Sequence, residues 1–142
     1  MNNKRKLQLI KNYKPCLAYE NDEIYPNGIF NFNISKILND INCGTLEVEK
    51  EKINISEWFK THMHGVINES HISSVDITRP VLQAEIRLGK FEIIYGNHRI
   101  EKEYRNNIKT INSYKLNGEK LVDYFIDKRG YEAFVQYWNS KL

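Results

Sequence analysis

Proline and cysteine are scarce in this chain of 142 residues: three prolines, Pro15, Pro26 and Pro80, and two cysteines, Cys16 and Cys43. The cysteines lie far apart and form no CxxC pair, so two reduced thiols are expected, and with no export signal a cytoplasmic location. No apolar run approaches the ~18 residues that a membrane span requires. The start, Met1-Asn2-Asn3-Lys4-Arg5-Lys6, carries charge without a long apolar stretch behind it, so neither a signal peptide nor a membrane partner is expected. Charge of one sign is also in short supply. The balance is +3, from 21 basic and 18 acidic residues, too little to announce a nucleic-acid protein. There is no internal repeat, no low-complexity tract, and no P-loop, GxSxG or HExxH motif, so no serine or cysteine nucleophile can be assigned.

What the chain does have is ordinary for a folded domain: 41% apolar and 27% charged residues, with six Phe, nine Tyr and two Trp that need a core. The length fits a single domain, 1–142, that buries roughly two-thirds of its unfolded surface without a disulfide or metal staple. Basic Lys4, Arg5, Lys6, Lys11 and Lys14 meet no acid before Glu20. Residues 1–14 therefore read as a solvated, partly frayed basic tail, with a nucleic-acid or anion contact as the other reading.

Along the chain, Pro26-Asn27-Gly28 signals a turn, followed by a strand over 29–34. Ser35 is a candidate cap for a short helix carrying Ile37, Leu38 and Ile41, stopped near Cys43-Gly44. Leu46 and Val48 alternate with Glu47, Glu49 and Glu51, which predicts a half-exposed strand with the glutamates on its wet face. A second helix begins at Ser56, and residues 60–74 read as a loop. Residues 80–95 form a hairpin around Leu88-Gly89-Lys90. After Gly96-Asn97 the period turns helical from His98 to Asn107, then extended from Ile108 to Leu116. Residues 117–142 supply a C-terminal helical extension: one helix after Asn117-Gly118, and a last one, separated by Gly130, with Tyr131, Phe134, Val135 and Trp138 as its buried stripe. The fold class expected is α+β: a small mixed sheet with a central hairpin, a helix after the Gly96-Asn97-His98-Arg99 turn, and C-terminal helices packed on the core.

One junction holds chemistry. Strand 91–95 runs through Gly96 into a helix that Asn97 would cap, with His98 and Arg99 in its first turn. Two cationic side chains there oppose the positive end of the helix dipole unless an anion is present. Free amides, Arg99 and His98 together make an anion pocket, and Gly96 lets a phosphate approach the backbone. The competing reading pairs Arg99 with Glu101 or Glu103 and leaves His98 on a carbonyl.

The run Thr78-Arg79-Pro80-Val81-Leu82-Gln83-Ala84-Glu85, the hairpin, Tyr95-Gly96-Asn97-His98-Arg99-Ile100-Glu101, and Ile108-Lys109-Thr110-Ile111 resembles the ParB/sulfiredoxin-like superfamily over about residues 72–116. The resemblance implies an RP strand, a hairpin, a glycine turn with His/Arg, a helix and a further strand. It also implies that the turn binds the phosphates of ATP or CTP, accompanied by magnesium. It carries Gly96 onto the tight turn, Asn97 onto the turn's variable position, His98 and Arg99 onto the phosphate ligands, and Arg79 onto a second phosphate contact. Sulfiredoxin activity needs a cysteine where Asn97 stands, so it is not expected. Relatives that are kinases or nuclease-like place an acid before the glycine, where this chain has Tyr95. Glu101, with His98, is then the candidate for acid–base work, and Glu85 is another substitute.

His62-Met63-His64 with His71 resembles a metal set only superficially, because no cysteine and few carboxylates lie at ligand spacing, and no metal site is expected. Three functions follow. The first is a nucleotide phosphate-binding protein, with phosphoryl transfer as the activity such a site would permit. The second is a non-catalytic protein-binding module, immunity- or antitoxin-like, for which seventeen aromatics supply ample interface. The third is a DNA-binding ParB-like domain, whose affinity would fall steeply with salt.

Overall fold

A computed structural model describes residues 3–76 and 78–142; Met1 and Asn2, at the head of the basic segment, and Ile77 lie outside the described residues. The fold is mixed α+β, as expected, with a two-stranded and a four-stranded sheet. The elements are β1 (Ile24–Asn27), β2 (Phe30–Asn33), α1 (Ile34–Asn42), β3 (Glu49–Asn54), α2 (Ile55–Thr61), α3 (Glu69–Ile72), β4 (Val81–Arg87), β5 (Lys90–Tyr95), α4 (Asn97–Arg105), β6 (Thr110–Leu116), α5 (Gly118–Leu121) and α6 (Lys128–Asn139). Among the described residues no helix is long and apolar enough to cross a membrane. Both cysteines are free thiols.

The chain divides into two compact units. The first comprises Met1–Glu47, Glu85–Phe91 and Asn117–Leu142. Its core is aromatic: Phe32, Phe125, Tyr131, Phe134 and Trp138 are fully buried, with Phe32 edge-on to Phe125 at 5.6 Å and Phe134 5.8 Å from Trp138. Antiparallel β1 and β2 meet across Gly28, whose φ of 60° suits glycine. Pro26 therefore sits inside a strand rather than leading the turn; such a two-stranded ribbon has edges that need no proline N–H.

The basic N-terminal segment is docked, not frayed. Leu7 is buried, and Asn139 brackets its backbone by accepting from its N–H (2.9 Å) and donating to its carbonyl (3.0 Å). Arg5 lies 4.9 Å over the Trp138 ring, whose indole N–H donates to the Arg5 carbonyl. The Arg5 guanidinium grips Glu85 (2.6 and 3.0 Å) and Glu119 (2.7 and 2.9 Å). Glu85, 1% exposed, also accepts from the Gly89 and Gly118 amides. A buried carboxylate needs that full set of donors, so Glu85 is a structural anchor and not a spare acid.

The second unit comprises Val48–Ala84 and Glu92–Leu116. In the four-stranded sheet, ordered β3-β6-β4-β5, β3 runs antiparallel and β4 parallel to β6. Ile53, Ile55, Val81, Ile93, Ile100 and Ile111 form the unit's core, flanked by Trp58 and Phe59. Of the glutamates expected on a wet face, Glu47, which precedes β3, and Glu49 are exposed, while Glu51 is half-buried. Alternation puts Glu51 on the side of Ile53, where it accepts from Lys115 (2.9 Å) and Gln83 (3.3 Å).

Helix starts differ from expectation by one to three residues, for a consistent reason. Asn33 caps α1 by accepting from the Lys36 amide, while the Ser35 hydroxyl accepts from Glu23 N–H. Asp127 caps α6, so Gly130 falls inside its first turn, where a Cβ would meet the Ile29 carbonyl at 2.4 Å. The best cap is the residue whose backbone is still extended and whose side chain reaches back, a property of conformation rather than composition.

Candidate functional site

Gly96 ends β5 and begins α4. Its φ is +101°, and an added Cβ would lie 2.7 Å from Val81 Cγ1. Glycine is thus required by backbone conformation and by a close approach to β4. Gly96, not Asn97, is the N-cap; Asn97 is the first helical residue, and its amide donates to the Ile93 carbonyl at 3.3 Å. The first turn of α4 consequently has neither a capping side chain nor an acidic residue. The Arg99 and Ile100 amides both donate to the Gly96 carbonyl (3.0 and 3.2 Å), so only the Asn97 and His98 amides lack a carbonyl within the helix.

Arg99 is 8% exposed. Its guanidinium lies 4.6 Å over the Tyr95 ring, and Nη1 donates to the Pro80 carbonyl at 3.1 Å. It forms no ion pair with Glu101 or Glu103. The position before Gly96 holds a tyrosine, not an acid, and it supports this arginine through its ring face. His98 is held differently: its Nε2 accepts from the Asn68 backbone N–H at 2.9 Å, so the proton of the neutral ring sits on Nδ1. The Arg79 side chain, one residue before Pro80, is 70% exposed and 3.9 Å from Asp76.

Glu101 is brought into a chain of charges. Its Oε1 accepts from His64 Nδ1 at 2.5 Å, and its Oε2 accepts from Arg105 Nε at 3.0 Å. Arg105 then donates twice to Glu69, at 2.7 and 2.8 Å. Burial pushes the Glu101 carboxyl up, but the bonds from His64 and Arg105 outweigh it and hold the group below its ordinary range. The two carboxylates raise the Arg105 guanidinium, and Arg105 holds Glu69 low.

The His64 ring is stacked on Phe59 at 3.7 Å with an interplanar angle of 3°, and Tyr104 meets it edge-on at 4.8 Å. His62 turns elsewhere, stacking on Trp58 at 3.6 Å and bonding to the Trp58 carbonyl. The HxH pair thus does not converge, because residues 62–68 lie outside any strand. Among the described residues no group of three or more His, Cys, Asp or Glu is placed to hold a metal ion. Residues 60–74, read as loop, contain the one-turn helix α3 capped by Asn68, and Lys102 donates to the Ser73 and Val75 carbonyls that follow it (2.8 and 3.3 Å). His64 enters the sequence reading only through the His62-Met63-His64 set, and neither it nor Glu69 is expected there at this junction. Their partners are 37 and 36 residues away, so no local spacing links them. Comparison with protein-family models, with curated proteins and with solved structures finds no match to this chain.

Proposed function

We propose that the second unit binds the phosphates of a nucleoside triphosphate, ATP or CTP as its magnesium complex, at the start of α4. The observation that carries this reading is the pairing of an uncapped, acid-free first helical turn with an arginine clamped between Tyr95 and the Pro80 carbonyl. Helix amides and a guanidinium are complementary to phosphate oxygens, and an arginine already fixed loses little freedom on binding. The likeness of Arg79-Pro80 and Gly96-Asn97-His98-Arg99 to the ParB/sulfiredoxin turn supports the same ligand. His98 joins as a donor through its Nδ1–H.

Calorimetric titration with ATP, CTP, ADP and GTP, each with magnesium, tests the reading. Binding is expected for at least one triphosphate, and Arg99→Lys, which keeps the charge and loses the fork, is expected to weaken it at least tenfold. The absence of binding to all four, or an Arg99→Lys chain that binds as tightly as the parent, overturns it.

A further inference from the structure

The first unit holds a cavity of about 760 Å³, a volume within the roughly 300–1,000 Å³ that ligand pockets occupy. Three pieces of chain build it: residues 16–22 ahead of β1, the first turns of α1, and the 3-10 turn Val122–Tyr124. Its loop wall is fixed before any ligand arrives. The Cys16 amide donates to the Phe125 carbonyl at 2.8 Å, and Asn33 Nδ2 donates to the Leu17 carbonyl at 3.1 Å. Tyr19 and Asp22 close a turn on each other. The Tyr19 amide donates to Asp22 Oδ2 at 2.9 Å, and the Asp22 amide donates to the Tyr19 carbonyl at 3.0 Å.

The cavity has acceptors to spare. Asp22 takes both of its bonds on Oδ2, from the Tyr19 amide and from Asn33 Nδ2 (2.8 Å), which leaves Oδ1 without a partner among the described residues. Asp123 has no hydrogen-bond or ion-pair partner among the described residues. It is exposed, yet desolvation raises its carboxyl above its ordinary value. Lys36 also lines the wall, but Asp40 holds its ammonium at 2.9 Å, and the other Asp40 oxygen accepts from the Tyr124 hydroxyl at 2.8 Å. That charge is neutralised within the protein. Leu17 and Tyr19 line the same cavity with side chains 71% and 70% exposed, on a backbone already pinned, so little further ordering is needed to use them. Two carboxylates beside an aromatic ring and an aliphatic side chain complement a cation on an apolar body. We propose that this cavity binds an organic cation, a primary ammonium or a guanidinium on an aromatic or aliphatic body, with Asp123 and Asp22 Oδ1 accepting from its N–H groups. No residue proposed to hold phosphate lines the cavity, so the two sites stand or fall separately.

Calorimetric titration of the full chain with phenethylamine, agmatine and the capped peptide acetyl-Leu-Arg-Leu-amide tests this, with 2-phenylethanol as an uncharged counterpart. At least one of the three cations is expected to bind, and 2-phenylethanol is not. Asp123→Asn is expected to weaken that binding about tenfold or more, with a melting temperature unchanged or higher, because the side chain loses no bond within the protein. Tyr19→Ser, at an exposed side chain, is expected to weaken it about threefold or more. In a Cys43→Ser chain the remaining thiol is Cys16, which lines the cavity, so a saturating cation is expected to slow its alkylation by iodoacetamide severalfold. Tighter binding of the peptide identifies a partner protein's side chain as the source of the cation, and tighter binding of the small amines a free molecule; both support the site. No binding of any of the three, equal binding of 2-phenylethanol, an Asp123→Asn chain that binds like the parent, or unslowed alkylation of Cys16 overturns it.

Discussion

At Gly96 two constraints coincide, a left-handed φ of +101° and the Val81 methyl at 2.7 Å from any added Cβ. Gly96→Ala is expected to cost about 2 kcal/mol or more, from backbone strain and overpacking together, read as a lowered urea midpoint. Its neighbour Arg99 owes its fixed position to Tyr95, so Tyr95→Leu should loosen the guanidinium and weaken phosphate binding while Gly96 is untouched. Glu101 gives a pH signature. Its carboxyl is held below the unfolded value by His64 and Arg105, so its contribution to stability is full above the ordinary carboxylate range near pH 4–5. That contribution is lost as pH falls through the depressed folded value. Glu101→Gln should flatten the acid limb of the stability curve and cost about 1–3 kcal/mol at neutral pH by weakening two charge-assisted bonds.

At the scale of elements, capping decides where helices begin. Asp127 accepts from the Gly130 amide at 2.6 Å, and Asp127→Ala should cost about 1 kcal/mol, measurable as a lower melting temperature with unchanged helicity before the transition. The hairpin of β4 and β5, helix α4 and the buried stripe of α6 could be anticipated, because periods of two and 3.6 leave a local trace. β1 was hidden by Pro26, and α3 by its single turn. The helix expected after Gly118 stops at Leu121, followed by a 3-10 turn over Val122–Tyr124. The glycine turn of the candidate site was visible as a motif. Its surroundings were not: Tyr95 under Arg99, Asn68 on His98, and His64 on Glu101 are spatial pairings whose partners share no spacing in the chain.

At the scale of the whole molecule, the first unit is fastened by an ion cluster. Glu85 is almost fully buried and depends on Arg5 for its counter-charge. Arg5→Ala should therefore destabilise this unit by about 3 kcal/mol, the usual consequence of leaving one member of a buried pair alone, seen as a lower denaturation midpoint. Glu119 is held below its ordinary range by the same guanidinium, so the cluster's support is complete at neutral pH and declines on acidification through that depressed value. Gly118 bears on the same region, since a side chain there would run into the Trp138 ring at 2.2 Å.

The chain has two tryptophans, and each unit holds one. Trp138 is sealed from solvent in the first, and Trp58 lies face to face with an imidazole in the second. Indole emission thus labels the halves separately without an added dye. With Trp58→Phe, the remaining blue-shifted signal follows the first half alone. With Trp138→Phe, the remaining signal follows the second. If the two traces separate under denaturant, the halves melt in turn; if they superimpose, one cooperative transition spans the chain.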